Sequence, residues 1–259
     1  MRSISILGAN GFVGSSICED VINIKKYTRN NHLSLISEDI DTLVVASVSA
    51  MKWKANLEPE EDLRKILEHF EFLKSLTFKK LVLISTIDVF PQGIDFDEDS
   101  PLEDFIPEPY GKNRALLEMK VLENFNDVHV IRLPGLFGKN LKKNILFDLR
   151  QGHNLRDIQL ESKFQYLEVN QTWNFIAKAI GENIKLLNVA TEPVTLEEII
   201  RIGFNTPSDS RILIINSDKS QKTDYKMTSK YCKEKYFFTK DYILNRINTW
   251  AKEQSSDFQ

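Results

Sequence analysis

Gly8, Gly11 and Gly14 stand three residues apart, directly after the strand-like stretch Ser3-Ile4-Ser5-Ile6-Leu7. A glycine at the first place permits a tight turn out of a strand. The second lets backbone N–H groups approach a pyrophosphate, and the third lets a helix pack against the strand. The N-terminus of that helix adds the positive end of its dipole. Gly8, Asn10, Gly11, Phe12, Val13 and Gly14 are therefore candidates for holding a dinucleotide. The choice of dinucleotide turns on the residues after the second strand, where a carboxylate would accept hydrogen bonds from the adenosine ribose of NAD. Here the chain has Thr28-Arg29-Asn30-Asn31, and Arg29 with Asn30 favours the 2′-phosphate of NADP, with NAD as the other choice. His32, His69, His129 and His153 show no ligand spacing, and no metal site is implied.

Positioning these groups requires alternating strands and helices. Residues 24–28, 41–47, 80–86 and 128–133 read as strands, the later ones almost uninterrupted in apolar and β-branched residues. Helices are expected over 12–22, 60–76 and 110–125, the second with Leu63, Ile66, Leu67, Phe70 and Leu73 at helical spacing. The alternation predicts an α/β fold, a Rossmann-type doubly wound parallel sheet with a small C-terminal substrate lobe. Residues 1–140 form the dinucleotide-binding domain in this reading. Residues 141–259 form a helix-rich lobe, with returning strands at 186–189 and 212–215 that join the first domain. Thr195 and Glu198 have capping-box spacing and should start a helix.

The 259 residues are 42% hydrophobic, enough to bury one substantial core. With 34 basic and 37 acidic residues the formal charge is −3, which gives no global bias toward nucleic acid or an acidic membrane surface. Cys18 and Cys232 are too few for a disulfide framework. No apolar run reaches the length of about 18 residues needed to span a bilayer. The expectation is a soluble cytoplasmic protein.

Four ordered signals carry a family resemblance: the glycine turn, Leu83-Ile84-Ser85-Thr86-Ile87-Asp88-Val89-Phe90, Tyr110-Gly111-Lys112-Asn113-Arg114, and Arg132-Leu133-Pro134-Gly135-Leu136-Phe137-Gly138. Together they resemble the extended short-chain dehydrogenase/reductases, specifically the NAD-dependent epimerase/dehydratase family. The likeness is strong over residues 1–140 and thinner beyond. It implies that Tyr110 is the general acid/base and that Thr86 hydrogen-bonds the same substrate oxygen, with Ser85 on the other face of the strand. A phenol needs nearby positive charge to ionise near neutral pH. The family places a lysine one helical turn later, where this chain has Arg114, bulkier and unable to exchange its proton at useful pH. Arg114 would stabilise phenolate and reach the nicotinamide ribose. Asp88 reads as a solvated loop carboxylate, and Ile87 stands where a 4,6-dehydratase would carry its acid.

The same resemblance assigns Ala46, Ser47 and Val48 to the adenine and ribose, and Pro134 to the nicotinamide. On the substrate side stand Trp53, Lys54 and Asn56 in a polar loop, Gly135 in place of a common asparagine, and Lys142 and Lys143, with Lys139 and Asn144, for a diphosphate. The implied activity is keto-sugar reduction or epimerisation of a nucleotide-activated sugar, by hydride transfer with NADP or NAD. A homodimer through the helices over 60–76 and 110–125 is also implied. Two alternatives remain: a cofactor-binding sensor with weak or lost catalysis, and reduction of a small carbonyl that carries no nucleotide.

Overall fold

The computed structural model describes residues 3–104, 107–152, 158–204 and 222–253. The strand expected at 212–215 and His153 lie outside them. The first half runs β1 (Ile4–Leu7), α1 (Phe12–Asp20), β2 (Lys25–Tyr27), β3 (Asp39–Val45), α2 (Lys52–Leu57), α3 (Pro59–Lys74), β4 (Thr77–Thr86), α4 (Pro109–Asn124) and β5 (Val128–Leu133). There follow β6 (Gly135–Phe137), α5 (Ile145–Arg150), β7 (Lys163–Phe164), β8 (Tyr166–Glu168), α6 (Thr172–Gly181), β9 (Leu186–Asn188), β10 (Val194–Thr195), α7 (Leu196–Glu198) and α8 (Lys240–Glu253).

Two compact units interleave along the chain: residues 1–91, 98–133 and 170–188 in one, and 92–97, 134–169 and 189–259 in the other. The first holds a six-stranded sheet in the order β2-β1-β3-β4-β5-β9. All of its strand pairs are parallel, and β9 is the returning strand at its edge. The reversal of order beside β1 makes this the doubly wound α/β arrangement, in which ligands sit at the carboxyl ends of the strands. Leu43, Leu81, Leu83 and Val130 of the central strands pack with Ile66, Phe70 and Leu73 of α3 and with Leu117 and Val121 of α4.

Two local expectations are corrected. The buried stripe of α3 is Asp62, Ile66, Phe70 and Leu73, while Leu67 is 37% exposed. One face of the helix therefore buries a carboxylate in line with its apolar residues. The polar loop expected around Trp53 is instead the short helix α2. Met51 carbonyl oxygen accepts from the N–H groups of Lys54 and Ala55, and Ala55 is the buried residue that seats it.

In the second unit, β6 and β8 pair in parallel and β7 and β10 pair antiparallel. Gln165 pins this unit together: its side-chain amide donates to the carbonyl oxygens of Thr191 and Met227, and its Oε1 accepts from Met227 N–H. The capping box at Thr195 and Glu198 is present and starts α7, which continues as a wider turn over Ile199–Gly203. Among the described residues, no helix is long and apolar enough to cross a membrane.

Candidate functional site

The glycine turn is built as its spacing requires. Gly8 has φ +99°, and a Cβ there would lie 2.5 Å from the Ala46 carbonyl oxygen. At Gly14 a Cβ would lie 2.1 Å from the Gly8 carbonyl oxygen, so the helix can approach the strand only without one. Ser15 N–H donates to Gly11 carbonyl at 2.8 Å as the first helical bond. The N–H groups of Phe12, Val13 and Gly14 consequently have no carbonyl one turn back and remain available to an anion. Asn10 and Gly11 are exposed at the mouth of the turn. This cradle, closed to a Cβ at Gly8 and Gly14 and lined by helical N–H groups, fits the pyrophosphate of a dinucleotide.

Beside it, Ala46 N–H donates to Leu7 carbonyl at 2.9 Å and holds the ends of β3 and β1 together. Ser47 is exposed, and its hydroxyl lies 3.2 Å from Nε2 of His69 on α3. Burial holds the His69 imidazole well below its ordinary value, at about 4. Val48 packs partly buried against the core. The turn after β2 is shaped by Asn31, whose Oδ1 accepts from Thr28 N–H at 2.7 Å, and by Thr28 Oγ1, which accepts from Asn30 N–H. This leaves Arg29 and Asn30 exposed, in the region that faces a ribose in dinucleotide folds.

Tyr110 opens α4 behind Pro109, a residue suited to the first helical turn. Its N–H donates to Asn56 Oδ1 at 2.9 Å, and Asn56 Nδ2 donates to Glu108. Asn56, a sequence candidate for substrate, thus anchors the catalytic candidate. Gly111 allows the helix to start here, because a Cβ would lie 1.7 Å from the Asp88 carbonyl oxygen. The Arg114 guanidinium stacks 3.8 Å from the Tyr110 ring centroid and donates to Tyr110 carbonyl at 3.1 Å. It is also held bidentately by the Asp62 carboxylate and donates to Ser49 carbonyl at 2.7 Å. Asn113 completes the set with a 2.8 Å bond to Asp62. Burial pushes the Tyr110 phenol up to about 12; Arg114 pulls it down, Asp88 up, Lys52 down and Asp62 up.

Thr86 ends β4, where its hydroxyl accepts from Asp88 N–H at 3.2 Å and donates to Asp88 Oδ2 at 3.0 Å. The other oxygen of that carboxylate accepts from Lys52 Nζ at 3.0 Å, and Lys52 reaches Glu108 at 3.1 Å. Asp88, read from sequence as a solvated loop carboxylate, is instead paired and 17% exposed at its side chain. Ser85 does face away from Thr86. Its hydroxyl donates to Glu118, and Glu118 holds Arg132 at 2.7 Å in a fully buried pair.

The remaining candidates fall in both units. Trp53 on α2 is 66% exposed. In the second unit Pro134 is buried, and Lys142 and Lys143 are exposed beyond Gly138. A Cβ at Gly135 would lie 2.8 Å from the Tyr166 ring, so no asparagine fits there without moving that ring. Sequence reasoning passed over Lys52, Asp62, Glu118 and Arg132. Asp62 had one available signal, its place one turn before Ile66 on the buried stripe of α3.

No protein-family model matches the chain, and no curated protein matches it in sequence. Solved structures do match over the whole chain. A UDP-N-acetylglucosamine 4-epimerase from Methanobrevibacter ruminantium, in complex with UDP-N-acetylmuramic acid, superposes with TM-score 0.74 at 16% identity, covering 99% of both chains. A dTDP-glucose 4,6-dehydratase from Streptomyces venezuelae, with NAD and TYD bound, superposes with TM-score 0.75 at 14% identity, covering 100% of this chain and 99% of that one. The fold is that of the epimerase/dehydratase enzymes. A dTDP-4-dehydrorhamnose reductase from Yersinia enterocolitica shares it with TM-score 0.68 at 14% identity, covering 97% of this chain and 99% of that one.

Proposed function

We propose that this chain is an NAD(P)-dependent oxidoreductase or epimerase acting on a nucleotide-activated sugar. The observation that carries the reading is the single face on which the first unit gathers a glycine-built phosphate cradle, the Thr86 hydroxyl and the Tyr110 phenol. A nicotinamide cofactor bound in the cradle supplies or accepts hydride. Gly8, Gly11 and the N–H groups of Phe12, Val13 and Gly14 hold its pyrophosphate, while Ala46, Ser47 and Val48 flank its adenosine. Arg29 is exposed where it can pair with a 2′-phosphate, which favours NADP.

Thr86 orients the substrate oxygen, and Tyr110 Oη gives that oxygen its proton on reduction or takes it on oxidation. Arg114 stacks on the phenol ring and lowers its affinity for the proton, although its charge is matched by Asp62. Lys142 and Lys143 are proposed for the substrate diphosphate, and Trp53 and Gly135 are each proposed as substrate contacts. The exposed Leu67 of α3 and Met119 and Leu122 of α4 support a homodimer through these helices.

A second reading has its own observation: with the phenol held up at about 12, the chain could bind cofactor as a sensor without efficient turnover. Mixing the protein with NADPH or NADH and a panel of nucleotide 4-keto-sugars, and following loss of reduced-nicotinamide absorbance, separates the two. The enzyme reading expects turnover that falls about a hundredfold or more in Tyr110→Phe. Cofactor binding without turnover on any member of the panel would establish the sensor instead.

A further inference from the structure

The two cations nearest the phenol are bound in different ways. Arg114 is buried, forked onto both oxygens of Asp62, and donates to two backbone carbonyls, so its charge is matched and its position fixed. Lys52 enters from α2, an element that shares no sequence motif with α4, and its side chain is 35% exposed. It takes one oxygen of the Asp88 carboxylate while Thr86 takes the other. A carboxylate that orients the Thr86 hydroxyl also sits near the phenol and opposes its ionisation. Without a counter-charge, Asp88 would orient one acid–base partner at the expense of the other.

We propose that Lys52 is a positioning residue of the acid–base site: by binding Asp88 it lets that carboxylate orient Thr86 without holding the proton on Tyr110. This rests on the acid–base role proposed for Tyr110. The charged groups that act on the phenol are Arg114 on α4, Asp88 after β4, Lys52 on α2 and Asp62 on α3, and Glu108 before α4 pairs with Lys52. Two of the four are anionic and two cationic. Loss of Lys52 removes the ion pair that it makes with Asp88. The ammonium thus supplies, from a different helix, the second positive charge at a site whose first is closed by Asp62.

The test compares Lys52→Met, Lys52→Arg, Asp88→Asn and Tyr110→Phe with the unaltered protein. Stopped-flow pH jumps read tyrosinate absorbance before alkaline unfolding, and subtracting the Tyr110→Phe signal isolates Tyr110. Lys52→Met should move the Tyr110 ionisation to higher pH by about one pH unit, Lys52→Arg should restore it, and Asp88→Asn should move it lower. In turnover of a nucleotide sugar, the limb of kcat/KM that reports Tyr110 should shift the same way, with kcat down about tenfold in Lys52→Met and KM little changed. An unchanged Tyr110 titration in Lys52→Met, even with reduced turnover, would overturn the proposal and leave the role of Tyr110 standing. Full turnover in Tyr110→Phe would instead overturn the acid–base reading on which it rests, and the titration would still report whether Lys52 governs the phenol.

Discussion

At the scale of single residues, the identity of the group one turn after Tyr110 matters less than what that group is bound to. Arg114 stacks on the ring, yet both of its terminal nitrogens are committed to Asp62 and to backbone carbonyls. Asp62→Ala strips the carboxylate from a buried guanidinium and should cost about 3–5 kcal/mol in urea unfolding. In whatever fraction folds, the Tyr110 ionisation should move to lower pH, because an unopposed cation then faces the phenol. A stability loss without that shift would show that Asp62 only packs the helix. Tyr110 and Thr86 were legible because their neighbours follow a known order along the chain. Asp62, Lys52 and Asp88 were not. Asp62 stands in an acidic run of the kind that usually meets solvent, and the ion pairs that bury it and that join Lys52 to Asp88 reach across 52 and 36 residues of chain.

At the scale of elements, legibility followed burial. Every residue of β5 is buried, as are the last four of β3, and such strands announce themselves as mostly apolar, β-branched runs even where they bury His129, Arg132 and Thr42. The six-residue α2 buries only Ala55, and β7 and β10 have two residues each, too few for any period to emerge. Two elements of the site meet through one glycine. Gly111 lets the start of α4 rest against the turn after β4, which brings Tyr110 to the side of Thr86 and Asp88. Gly111→Ala places a methyl 1.7 Å from the Asp88 carbonyl oxygen, and backbone cannot yield as a flexible side chain does. The substitution should lower stability by about 3 kcal/mol or more, seen in thermal denaturation. It should abolish turnover while the folded fraction still binds NADPH, since the glycine cradle lies on other elements. Equal loss of NADPH affinity would mean that the helix start supports the cofactor as well.

For the molecule as a whole, two expectations can be measured without knowing the substrate. If α3 and α4 form the proposed dimer interface, Met119→Glu with Leu122→Glu should shift sedimentation from dimer to monomer at micromolar protein; an unaltered dimer would place the interface elsewhere. The second concerns acid. His69 ionises near pH 4 in the folded chain against an ordinary value of 6.5, because burial disfavours its charged form. Burial shifts His129 in the same direction. As pH falls below about 6.5 the unfolded chain takes up these protons before the folded one does, so unfolding is favoured. The stability His69 contributes is therefore complete above that value and is lost progressively down to about pH 4, and His129 loses stability in the same direction. For His69 the loss amounts to about 3 kcal/mol at most. Asp41, Asp127 and Glu198, whose carboxyls are held low by lysine partners and hydrogen bonds, add their own losses at still lower pH. Urea midpoints should fall between about pH 7 and pH 4.5, and His69→Gln should flatten that slope by a larger amount than it changes stability at neutral pH. An unchanged slope in His69→Gln would mean that the ring protonates without opposing the fold, and that the Ser47 hydroxyl or solvent accommodates its charge.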